Sequence, residues 1–142
     1  MEQPNVWPPD ELLPGFKDCM LETYWAISAM AHNFMRALAL GFDLPEDHIT
    51  RHHSINNRLR LLHYPPIPGD KLAEVQGMAR LPAHADWGTI TILFQEDLGG
   101  LALQDTEDTS KYIYVPPMPG AIIMSVGVIL QRWTNGTLCS GV

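Results

Sequence analysis

An α+β fold, with helices first and antiparallel strands after them, is predicted for this chain of 142 residues on three observations. A stretch free of proline and glycine runs from 16 to 40, with apolar residues three and four apart. Short β-branched, alternating runs follow in the second half, with turn signals between them. Twelve prolines and eleven glycines demand many turns. Helical and strand patterns are therefore segregated along the chain, and the strands form one packed β unit, a sandwich or barrel.

Each element has its own justification. Over 16–40, Phe16, Cys19, Met20, Tyr24, Ile27, Met30, Ala31, Phe34 and Leu38 form one stripe, the long helix. Pro14-Gly15 stops anything before it, and Gly41 stands where a glycine after the last turn would end it. Pro45 near a first helical position suggests a short helix to about 53. The run 58–64 (Arg58, Leu59, Arg60, Leu61, Leu62, His63, Tyr64) begins to alternate and predicts a strand closed by Pro65-Pro66. Residues 67–76 read as a connection. Thr89-Ile90-Thr91-Ile92-Leu93-Phe94 predicts a strong strand, and Gly99-Gly100 a turn before a short one at 101–104. Two more are expected at 111–115 and 121–124, separated by Pro116-Pro117-Met118-Pro119-Gly120. Residues 127–134 are compatible with a turn or two of helix, and Asn135-Gly136 is a turn signal.

Composition excludes several classes. Apolar residues are 46% and charged residues 18%, which is not a disordered chain. Sixteen acidic residues against nine Lys and Arg leave a net charge of −7. A nucleic-acid partner or an anionic membrane surface needs a basic footprint, so neither is expected. No apolar run approaches the roughly 20 residues of a bilayer span. The amino terminus lacks the basic and apolar regions of a secretory signal, and two cysteines, Cys19 and Cys139, suit a reducing cytosol. A cytoplasmic location is expected.

The candidate chemistry lies at His84-Ala85-Asp86, just before the strong strand. On extended backbone a His and a carboxylate two apart point to the same side and can reach one ion. With a second histidine they would form the 2-His-1-carboxylate set of non-haem Fe(II), which leaves positions open for substrate and O₂. Spacing alone is equally compatible with a surface turn capped by Asp86, because six histidines make a chance His-x-Asp unsurprising.

The surroundings decide between these readings. Leu59-Arg60-Leu61-Leu62-His63-Tyr64-Pro65-Pro66, then His84-Ala85-Asp86-Trp87-Gly88-Thr89-Ile90-Thr91-Ile92-Leu93, then Gly99-Gly100-Leu101-Ala102-Leu103-Gln104 follow in order. Pro119-Gly120-Ala121-Ile122-Ile123-Met124 and Leu130-Gln131-Arg132-Trp133-Thr134-Asn135-Gly136 continue the series, and Asn5-Val6-Trp7-Pro8 with Leu13-Pro14-Gly15-Phe16 precede it. Together they resemble the isopenicillin N synthase-like family of Fe(II)- and 2-oxoglutarate-dependent oxygenases, over nearly the whole chain.

The resemblance implies a double-stranded β-helix (jelly roll) on which the N-terminal helices pack. It divides the chain into a helical region, 1–56, and a partial oxygenase domain, 57–142. It implies Fe(II) bound by His84 and Asp86, and Tyr64 holding the carboxylate of the cosubstrate 2-oxoglutarate. A phenolic O–H donating to a carboxylate suits that role, although Tyr64 also reads as an ordinary strand-end aromatic. The implied activity is a dioxygenase reaction on a small organic metabolite: hydroxylation, desaturation or cyclisation, coupled to conversion of 2-oxoglutarate to succinate and CO₂.

Departures from the family pattern accompany the matches. The family's second iron-ligand histidine would fall on the residue after Val142, and its Arg-x-Ser pair for 2-oxoglutarate further on. Strands that precede the Asn-x-Trp-Pro segment in relatives have no counterpart before Met1, and Ser125 and Val128 stand where relatives often carry Asn and Asp. The jelly roll is accordingly expected to be incomplete and truncated, with weak iron binding and impaired activity. A catalytically dead family member acting as a binding protein, partnered by a homologous chain, is the alternative. Elsewhere, His48 and His52 could share a helix face as a metal pair or be solvated histidines. Trp87 could wall a pocket beside Asp86, with core packing the ordinary expectation.

Overall fold

The computed structural model describes residues 5–53, 57–71, 74, 80–105 and 107–142. The chain forms two compact units, Met1–Leu61 and Leu62–Val142.

The first unit is dominated by α1, Phe16–Gly41. Gly15 caps it in the left-handed region at φ 71°, and its own N–H donates to Asp10 Oδ1 at 2.9 Å. Most of the stripe read from the sequence is half-buried, with Cys19 and Phe34 exposed, and the best-buried residues are Met35 and Ala39, which that stripe does not include. Gly41 does not play the part expected of it. It remains helical, and the left-handed residue that turns the chain is Asp43, at φ 55°. Aspartate tolerates that region better than most residues. The short helix expected over 45–53 is reduced to one 3₁₀ turn, Thr50–His52, entered from Asp47, whose carbonyl accepts from Arg51 N. Ile49 is buried beside it, and Arg36 ties α1 to this region through Glu46 at 2.5 Å.

The predicted strand 58–64 does not form. Its described residues are exposed and carry no ladder hydrogen bonds. An alternating sequence makes a strand only when a partner satisfies its N–H and C=O groups, and no described segment pairs with it. The expected connection over 67–76 lies partly outside the described residues, which show one 3₁₀ turn at Gly69–Lys71.

The second unit holds the remaining elements: β1 (Ile90–Leu93), β2 (Ala102–Gln104), β3 (Tyr112–Tyr114), β4 (Ile123–Val126) and α2 (Val128–Trp133). Strand β1 pairs antiparallel with β4, with Thr91 opposite Ser125 and Ile92 opposite Met124. Ile90, Ile92, Met124 and Val126 therefore share one face, and Thr91, Leu93, Ile123 and Ser125 the other. Strand β2 pairs with β3, Leu103 opposite Ile113. The sequence placed β4 two residues too early. The run 121–124 is apolar enough, but Ala121 N closes a turn onto Met118 O and delays the strand. The β2–β3 loop is tied by Asp105, whose carboxylate accepts from Glu107 N, and by Asp108. The Lys111 ammonium and the Ser110 hydroxyl and N–H hold the Asp108 carboxyl below the usual carboxylate range. Gln104 N donates to Val142 O, so the chain end lies along β2.

Helix α2 anchors this unit through Leu130, which is fully buried. Leu130→Ala removes its side chain from a packed site and is expected to cost about 2–5 kcal/mol. Chemical unfolding checks this as a lowered midpoint with no change in slope. After α2, Asn135 and Gly136 take positive φ in the predicted turn, and Gln131 Oε1 accepts from Ser140 N at 2.5 Å, folding the tail back on the helix.

Candidate metal centre

His84 and Asp86 stand on the segment that enters β1, and the structure brings them together. His84 Nε2 lies 3.5 Å from Asp86 Oδ1. The other ring nitrogen, Nδ1, is 2.9 Å from Pro82 O. A carbonyl can only accept, so Nδ1 carries a proton, and Nε2 is the ring nitrogen turned to Asp86. An imidazole that binds metal through Nε2 carries its proton on Nδ1, and a backbone carbonyl is a common outer partner of such ligands.

Asp86 is gripped at both its main chain and its side chain. Its second carboxylate oxygen, Oδ2, accepts from Ser125 Oγ at 3.3 Å. Its backbone carbonyl accepts from Val128 N at 2.8 Å. The neighbouring carbonyls are held the same way: Gly88 O by Ile129 N at 3.2 Å and Thr89 O by Gly127 N at 2.9 Å. The β4–α2 junction thus uses three successive N–H groups, two of them left over at a helix start, to fix the loop from Asp86 to Thr89. Gly127 permits this closeness. A Cβ there would collide with the Gly88 carbonyl oxygen and meet Asp86 O at 3.1 Å.

The two candidate ligands remain accessible. The His84 side chain is 52% exposed and that of Asp86 33%. Among the described residues no group of three or more His, Cys, Asp or Glu is placed to hold a metal. His84 and Asp86 fit an iron site as two of its ligands: Nε2 and Oδ1 converge, and an imidazole nitrogen and a carboxylate oxygen are donors that suit iron.

The other sequence candidates lie elsewhere. Tyr64 is half exposed on the extended segment after 57, and its hydroxyl makes no hydrogen bond among the described residues. That segment is fastened to Arg80, which donates from Nη1 to Pro65 O at 2.6 Å. His48 and His52 do stack, edge to face with ring centroids 5.7 Å apart. However, His48 Nδ1 already accepts from Arg51 Nη2 at 2.8 Å, which occupies that lone pair. Trp87 is 86% exposed, so it does not take the packing role expected of it. Ser125 and Arg80 were not singled out as contacts. Ser125 stood out in sequence only as a departure from the family pattern, and its partner follows from the β1–β4 register.

Residues 52–141 match the 2OG-Fe(II) oxygenase superfamily, and the chain belongs to it. Among its relatives are the 2-oxoglutarate-dependent dioxygenase htyE of Aspergillus rugulosus, 38% identical over 139 residues, and the dioxygenase frbA of a Dothideomycetidae species, 37% identical over 138. The alignments cover 96% of this chain but 41% and 40% of those proteins, so the chain spans about two-fifths of their length. Among solved structures, a full-length Neurospora crassa protein in complex with alpha-KG superposes with a TM-score of 0.89 at 32% identity, covering 98% of this chain and 43% of that one. The same Neurospora crassa protein is also solved with alpha-KG and thymine, with a TM-score of 0.88 at 31% identity. No helix among the described residues is long and apolar enough to cross a membrane.

Proposed function

We propose that the chain is part of an Fe(II)/2-oxoglutarate-dependent dioxygenase of the isopenicillin N synthase-like group, acting on a small organic metabolite. The observation that carries this reading is the His84–Asp86 pair, with Nε2 of the imidazole 3.5 Å from Oδ1. In the proposal these two residues hold Fe(II), which when bound supplies activation of O₂ for oxidative decarboxylation of 2-oxoglutarate and attack on a substrate C–H bond. The protein's share is to fix the ligands: Pro82 O sets the imidazole tautomer, while the β4–α2 junction sets the position of Asp86. Tyr64 is assigned to the cosubstrate carboxylate, on a segment steadied by Arg80.

The same reading takes 57–142 as a partial jelly roll and 1–56 as a helical region before it. The family match from residue 52 and the likeness to the Neurospora crassa structure support it. Hydroxylation, desaturation and cyclisation all fit the chemistry, and the thymine complex of the Neurospora crassa protein supports a small-molecule substrate. A cytosolic setting fits two free, exposed cysteines. A homologous partner chain remains part of the proposal as an occupant of the outer edge of β1, since the outer edge of β2 already holds Val142 through Gln104 N.

Calorimetric titration of 2-oxoglutarate into the chain, with and without saturating Mn(II) as a redox-silent substitute for iron, tests this function. Binding is expected only with the metal. It should weaken about tenfold in Tyr64→Phe, as loss of a hydrogen bond to a charged group predicts. Metal-independent binding, or none, would contradict the proposal.

A further inference from the structure

We infer that Ser125 is a positioning residue that makes Asp86 a one-oxygen metal ligand, holding Oδ2 by its hydroxyl so that Oδ1 is the atom left for the ion beside His84. The inference rests on the metal reading above and extends it to a residue that contacts no ion itself. A carboxylate only accepts hydrogen bonds, so at this 3.3 Å contact the Ser125 O–H donates. The hydroxyl has a single hydrogen, and it is committed to Oδ2. Oδ1 is the oxygen turned to His84 Nε2. The two oxygens of one carboxylate therefore have different work.

The donor is also well mounted. Ser125 sits inside β4, opposite Thr91 of β1, three residues before Val128, whose N–H holds the Asp86 carbonyl. One short segment, 125–128, thus restrains both the backbone and the side-chain rotation of Asp86. The contact is longer than the usual O–H···O distance of about 2.7–2.8 Å, so its effect is to choose an orientation more than to add binding energy. Without the hydroxyl the carboxylate is free to turn and to offer both oxygens.

A pair of same-shaped substitutions isolates the hydroxyl. Ser125→Thr keeps it, Ser125→Val lacks it, and both are β-branched residues suited to a strand. Anaerobic Fe(II) titration and the visible spectrum of the Co(II)-loaded protein are read for both, alongside wild type and Asp86→Ala. We expect Ser125→Thr to match wild type. Ser125→Val should bind Fe(II) about tenfold more weakly, the lower end for loss of an outer-shell partner, and its Co(II) bands should lose intensity as the second oxygen joins. Equal affinity and equal spectra for Thr and Val, with binding still lost in Asp86→Ala, would overturn the role of Ser125 alone. Absence of saturable binding in wild type, or unchanged binding in Asp86→Ala, would overturn the metal reading and this inference with it.

Discussion

Gly127→Ala is expected to destabilise the second unit by about 3 kcal/mol or more, the upper range for forcing one carbon into a packed site. The obstacle is backbone. The added Cβ would overlap the Gly88 carbonyl oxygen and lie 2.6 Å from its carbon. A flexible side chain could swing away, but Gly88 O is bonded to Ile129 N, and Asp86 O, 3.1 Å from the new atom, to Val128 N. Relief requires the β4–α2 junction to part from the loop that carries Asp86. The variant should therefore show a lowered urea midpoint and weaker metal binding together. Gly41→Ala is the matched control: it is helical, has no neighbour within 4 Å of the added carbon, and should be neutral or slightly stabilising. A Gly127→Ala protein as stable as wild type would mean that the close approach does not constrain the fold.

Asp86→Ala is expected to remove measurable Fe(II) binding, a loss of more than about 100-fold, beyond the range for outer-shell changes. The substitution takes away the only carboxylate placed beside His84 among the described residues and leaves one imidazole. Its structural effect should be small by contrast. Val128 N bonds the main-chain carbonyl of residue 86, which alanine retains. The Ser125 hydroxyl loses its acceptor in a partly buried place, at a cost of about 1 kcal/mol. Metal titration and urea unfolding on the same preparation separate the two effects. Retained binding, or binding lost only through unfolding, would count against Asp86 as a ligand.

The sequence carried the elements whose causes are local. The stripe from Phe16 to Leu38 predicts α1, and the β-branched run around Ile90 predicts β1, because period and propensity act within a few residues. Strand 58–64 failed because a strand also needs a partner, which composition cannot supply. Gly41 misled for a similar reason: the chain turned at Asp43 instead, a choice that lay with residues two positions on.

The candidate site was legible in the same uneven way. His84 and Asp86 were visible as a two-apart pair, and their meeting follows from that spacing. The contacts that make the pair chemically specific were not visible. Pro82 offers a carbonyl, Val128 an N–H, and neither group has a sequence signature. Ser125 lies 39 residues from Asp86, and only the register of β1 on β4 brings them together.

In the proposed site His84 binds metal through Nε2, with its Nδ1 proton held on Pro82 O. Long-range ¹⁵N NMR of the His84 ring, with Zn(II) as a diamagnetic substitute for iron, tests it most directly. The expected result is an Nδ1-protonated ring before metal, and on titration a shift at Nε2 that is absent from Asp86→Ala. An Nε2-protonated ring, or a His84 signal untouched while other histidines respond, would contradict it.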